Sequence, residues 1–150
     1  MDIIDRRMLA ILQDNPDLPT SELAGRVGLS NTPCWRRLKK LQADGVIMGR
    51  ALLLDPTALG LTVNVFADIR LKQHDEETLL ALEKAVGSQA EIVECFSVSG
   101  ESDYTMRIVT RSIEDYESFL KKVLLHLPGV AAVNSRFALG RVKMTTSLPI

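Results

Sequence analysis

Residues Thr20 to Asp44 read TSELAGRVGLSNTPCWRRLKKLQAD, the pattern of two short helices joined by a tight turn. Leu23, Val27 and Leu29 form one apolar set, and Cys34, Leu38 and Leu41 form a second. Gly28 lies between them, where a chain leaving a helix takes a positive φ at little cost. Ser30 suits an N-cap, and Pro33 suits a first turn, which has no use for an amide proton there. Helix, glycine turn, helix is the layout of a helix-turn-helix unit of the kind that reads DNA.

The second helix carries the charge. At about 100° per residue, Cys34, Leu38 and Leu41 share one side and Arg36 points away from them. Thr32, Lys39 and Lys40 flank Arg36, while Trp35 and Arg37 sit nearer the edges of the apolar stripe. A helix of this kind can lie in a major groove, with Arg gripping a guanine edge and Lys neutralising phosphates. The expected DNA contacts are Ser30, Asn31, Thr32, Arg36, Arg37, Lys39 and Lys40. A solvated charged face is the competing reading, and the capped turn with its preceding helix favours DNA over it. Packing against the first helix is the expected role of Trp35, ahead of stacking on sugar.

Composition sets the frame. The chain has 150 residues with 46% hydrophobic and 25% charged, ordinary for one or two globular domains. No apolar run approaches a membrane span, and acids precede the first apolar run, unlike a secretory signal. Two cysteines, Cys34 and Cys95, make no disulfide framework, and a reduced, cytoplasmic setting follows as the expectation. Neither lies at metal-ligand spacing from His74 or His126, so no metal and no cofactor is expected. The net charge of −1 hides an asymmetry. Residues 1–50 hold 8 Lys/Arg against 6 Asp/Glu, and residues 51–150 hold 10 against 13. The cations therefore gather on the candidate DNA module.

Outward from the central stretch, Asp2 can cap a first helix carrying Ile4, Met8, Leu9, Ile11 and Leu12, which Asn15-Pro16 breaks. Three helices thus occupy residues 1–50, with Val46–Met48 as a short strand or wing. A linker spans 51–61, and a second domain spans 62–150. There, Val63, Val65, Ala67, Ile69 and Leu71 alternate as in a strand with one buried face. A helix over 76–86, strands over 92–98 and 104–109, and an amphipathic helix from Ile113 to Leu127 follow. Strands over 130–139 and 142–148 close the chain. The order is α+β: βαββαβ, a ferredoxin-like sandwich with an added terminal strand. The uncovered sheet face, read as largely apolar or small, is expected to pack on a second copy. His74 and His126 read as solvated and as a helix-end residue respectively.

Several blocks then resemble the Lrp/AsnC family of feast/famine regulators across essentially the whole chain. They are IDRRMLAILQ, ELAGRVGLSNTPCWRRLKKLQADGVI, LDPTALG, VSGESDYTMRI, YESFLKKVLLHLPGV and RVKMTTSLP. The resemblance implies an N-terminal helix-turn-helix and a C-terminal domain that dimerises and binds an amino acid. It also implies homodimers assembling to tetramers, octamers or larger. It places the effector at Gly100, Glu101, Asp103 and Tyr104, within a G-x-x-D-Y stretch, with Thr145 and Thr146 (and Ser147) as further lining. On the residues alone, the favoured reading of this loop is a strand connection with Gly for the turn and Asp for a local bond. The expected function is a DNA-binding transcriptional regulator sensing an amino acid. The alternatives are an architectural DNA-binding protein without an effector, and a haem-precursor decarboxylase of similar fold. The two histidines are poorly placed for a tetrapyrrole, and no nucleophile–base pair, P-loop or dinucleotide fingerprint is present, so no enzyme is expected.

Overall fold

The computed structural model describes residues 1–150 and divides into two compact units, Met1–Leu53 with Val142–Ile150, and Leu54–Arg141. The first unit is built on α1 (Ile3–Asp14), α2 (Thr20–Val27) and α3 (Asn31–Ala43). A capping box opens α1: Asp5 N–H donates to Asp2 Oδ1 at 2.9 Å, and Asp2 N–H donates to Asp5 Oδ2 at 3.0 Å. Gly28 ends α2 in the left-handed region at φ 72°, the conformation a residue with a Cβ resists. Met8, Leu18, Leu23, Ala24, Val27 and Cys34 form the core, with Ile4, Ile11, Leu12, Leu29 and Leu38 packed around it. Each fully buried Leu or Met contributes about 1.5–3 kcal/mol. Desolvation raises the pKa of the buried Cys34 thiol. Val46–Met48 forms no strand; Val46 and Ile47 N–H groups instead donate to the Leu41 carbonyl, closing the end of α3.

The second unit runs β1 (Val63–Leu71), α4 (Glu76–Gly87), β2 (Ile92–Ser97), β3 (Tyr104–Thr110), α5 (Ile113–Lys122), a 3-10 turn and β4 (Val130–Phe137). The strands form one antiparallel sheet in the order β2-β3-β1-β4, the ferredoxin-like arrangement. Alternation decides the faces. Val65, Ala67, Ile69 and Leu71 of β1 and Tyr104, Met106 and Ile108 of β3 are buried with Leu82 and Val86 of α4 and Tyr116 and Phe119 of α5. The Tyr116 ring meets Phe137 edge-on at 5.4 Å.

Two further expectations are corrected. Residues 142–148 form no strand, and the tail Val142–Ile150 belongs to the first unit. The Gln13 side-chain amide holds it, donating to the Leu148 carbonyl at 3.1 Å and accepting from Leu148 N–H at 2.6 Å. The uncovered sheet face is also less apolar than expected. Exposed Phe66 and Phe96 share it with the ion pairs Arg136–Asp68 and Arg107–Glu94.

Candidate nucleic-acid interface and effector loop

The helix-turn-helix arises because Gly28 reverses the chain and Ser30 starts α3 from extended backbone at φ −78° and ψ 164°. Ser30 occupies the N-cap position as expected, yet its hydroxyl makes no capping bond. Pro19 precedes α2 and caps it with no side chain either. The first-turn N–H groups of both helices are therefore unclaimed by side-chain caps, the arrangement that accepts phosphate oxygens. Thr20 and Ser21 of α2 line an open groove with Asn31, Thr32 and Trp35 of α3. Thr20 and Ser21 escaped the sequence reading; a hydroxyl pair directly after Pro19 at a helix start was the available signal.

The basic residues of α3 divide by direction. Arg36 is exposed and makes no ion pair. Lys39 Nζ lies 5.9 Å from the centroid of the Trp35 ring, on the same exposed side. Lys40 pairs with Asp44 one turn on, which raises its pKa; both side chains are largely exposed, so phosphates can compete for this cation. Arg37 differs from the others. Its Nη1 donates to Asp2 Oδ2 at 2.7 Å and to Asp5 Oδ1 at 2.8 Å, tying α3 to the capping box of α1. Those carboxylates raise the Arg37 pKa, Asp2 first. Arg37, expected among the DNA contacts from the edge of the apolar stripe, is thus engaged by α1. Trp35 is more open than a packing role predicts: it is 54% exposed and absent from the core.

In the second unit, the β2–β3 connection holds Gly100, Glu101, Asp103 and Tyr104 together. Gly100 takes φ 115°, with open space where a side chain would stand. Glu101 is exposed. Asp103 is engaged on both oxygens: Oδ2 accepts from Leu71 N–H at 2.7 Å, and Oδ1 lies 2.6 Å from His74 Nε2. Its own N–H donates to the Ile69 carbonyl at 2.8 Å. The Leu71 amide first, then His74, holds the Asp103 carboxyl below its usual range. His74 is accordingly a partner of this carboxylate rather than a purely solvated side chain. The Tyr104 ring is buried, and its hydroxyl donates to Glu83 Oε1 at 3.1 Å. Burial first, then Glu83, raises the Tyr104 pKa. Thr145 and Thr146 belong to the other unit, where Thr145 Oγ1 accepts from Ser147 N–H at 3.1 Å. The residues expected around an effector are therefore divided between two units. No cluster of His, Cys, Asp and Glu is arranged to hold a metal ion. No helix is long and apolar enough to cross a membrane.

Comparison with known proteins places both units. Residues 1–48 match a winged helix-turn-helix DNA-binding model, and residues 64–148 match the Lrp/AsnC ligand binding domain. The chain is 39% identical over 150 residues to the DNA-binding transcriptional activator DecR of Escherichia coli K12, covering all of this chain and 99% of that one. It is similar to the crystal structure of an AsnC family transcriptional regulator from Agrobacterium tumefaciens, at 42% identity and TM-score 0.92, covering 99% and 97% of the two chains. It is similar as well to a transcriptional regulator from Neisseria meningitidis in complex with L-Met, at 33% identity and TM-score 0.92, covering 99% and 96%.

Proposed function

The chain belongs to the Lrp/AsnC family, and we propose that it is a sequence-specific DNA-binding transcriptional regulator whose affinity for DNA responds to an amino acid. The observation that carries the DNA half is the undivided exposed side of α3. Arg36 stands there without an ion pair, flanked by Thr32, Lys39 and Lys40, with Asn31 at the start of the helix and the unclaimed helix starts alongside. Arg36 reads a guanine edge, Lys39 and Lys40 neutralise phosphates, and Ser30, Thr20 and Ser21 position the backbone. Arg37 acts through α1, as a positioning residue for the recognition helix.

The effector half rests on the ligand-binding domain match and on the L-Met complex of the Neisseria relative. Gly100 and Glu101 supply an open backbone and a free carboxylate; Asp103 fixes the loop by holding Leu71 and His74. The protein works as a homodimer that assembles to a tetramer or octamer in the cytoplasm, and it catalyses no reaction. A dimer presents two α3 helices to half-sites one helical turn apart or a multiple of it, and exposed Phe66 and Phe96 favour self-association of the sheet face. Binding an effector shifts DNA affinity only through differential affinity for two states, typically about 1–3 kcal/mol.

Titration of the twenty amino acids against the melting temperature of the full chain tests this. At least one amino acid should raise it, and the same one should change DNA affinity about fivefold or more. A protein that binds DNA but responds to none of them would be the architectural alternative.

A further inference from the structure

Trp35 is the chain's one tryptophan, and more than half of it faces solvent on the side of α3 that carries the DNA-binding reading. It stands outside the core of its unit. Its surroundings are short and polar: Thr20, Ser21, Asn31 and Thr32 line the same groove. Lys39 lies over the ring. On the helix, Trp35 stands about 100° and Arg36 about 200° from the buried Cys34, with Lys39 at about 140° between them, so the ring and the guanidinium flank one exposed lysine. Trp35 sits one turn inside the start of α3 at Asn31, the part of a recognition helix that reaches base edges. A large apolar surface beside a fork of donors has one complementary apolar group in a major groove, the 5-methyl of thymine.

We propose that Trp35 is a specificity-determining residue that reads the methyl group of a thymine beside the base pair read by Arg36. The proposal rests on the DNA-binding reading and deepens it. A ring stacked on sugar would be indifferent to the base. A ring against the methyl group makes affinity depend on one carbon atom.

Replacement of thymine by uracil removes that carbon and leaves base pairing and the O4 acceptor intact. The full-length protein is used to enrich binding sites from a pool of random-sequence duplexes. Each thymine of the enriched half-site is then replaced by uracil in turn. One replacement should weaken the wild type about threefold to tenfold, as expected for one buried carbon. Trp35→Ala should bind less tightly and respond to that replacement by less than about twofold, whereas Arg36→Ala keeps the full response. Trp35→Leu, which preserves an apolar contact, should keep part of it. A wild type indifferent to every replacement, or a Trp35→Ala protein as sensitive as the wild type, would overturn the proposal while leaving the DNA-binding reading standing. Failure to enrich any sequence would overturn both.

Discussion

Adjacent arginines on α3 face different surroundings because one residue turns a helix by about 100°. Arg36 reaches solvent, and Arg37 turns back to Asp2 and Asp5. The helical wheel already placed Arg37 near the edge of the apolar stripe. What it could not supply was the partner, which lies 35 positions away in sequence. The same holds for Asp103, whose two partners, Leu71 N–H and His74, are delivered by a neighbouring strand and the loop after it. Arg37→Met should lower the melting temperature, yet leave the slope of log Kd against log salt unchanged. Lys39→Met should leave the melting temperature unchanged and reduce that slope by about 0.9, the value of one lost phosphate contact. A reduced slope for Arg37→Met would place that side chain on DNA. The clamp also has a pH signature. Asp5 N–H first, then Arg37, holds the Asp2 carboxyl below its ordinary 3.8. A depressed carboxyl contributes stability that is complete above the unfolded value and is lost as pH falls through the folded one. The melting-temperature gap between wild type and Arg37→Met should therefore close in acid below about pH 4.

At the scale of elements, most boundaries followed from local chemistry. Asp2 capped α1, Asn15-Pro16 ended it, Gly28 turned α2 into α3, and strict alternation placed β1 with its buried face correct. The exception is the last segment, where Val142 to Leu148 looks strand-forming by composition but finds no pairing partner at the sheet. A strand depends on its neighbours for all of its ladder hydrogen bonds, and no local pattern reports whether a neighbour exists. Gly129 shows the opposite, a local residue fixed by a distant one. It follows Pro128 before β4 at φ 74°, its carbonyl accepts from Lys72 N–H, and a Cβ there would lie 2.3 Å from Thr78 Cγ2 of α4. Gly129→Ala should destabilise the second unit by about 2 kcal/mol or more, about 1–2 kcal/mol of it from the left-handed backbone and the rest from the collision. Thr78→Ser removes the colliding methyl and keeps the hydroxyl that bonds Asp75. In the double variant, chemical denaturation should return the collision part of the loss and leave the backbone part. Full additivity of the two substitutions would show that the methyl is not the obstacle.

For the whole molecule, the path of the chain matters more than either fold alone. It builds the first unit to Leu53, builds the second from Leu54 to Arg141, and returns to the first with Val142–Ile150. The second unit is thus tied to the first at both of its ends, so a change in it has two covalent routes by which to act on the unit holding α3. The second route depends on Gln13. A primary amide places an N–H donor beside a carbonyl acceptor, the same pair that a peptide unit presents along a strand, and both kinds are used on Leu148. Gln13→Ala should lower protection of α1 amides in hydrogen exchange by about 1 kcal/mol, the ordinary net value for solvent-accessible bonds of this kind. Deletion of Val142–Ile150 should cost at least as much, since it also removes the partly buried side chains of Met144 and Ile150. The two changes share one contact, so Gln13→Ala should add nothing in the truncated protein. If the amino-acid response travels along this route, Gln13→Ala should keep effector binding and DNA binding while weakening the coupling between them. A coupling factor unchanged by either alteration would show that the response does not travel through the tail.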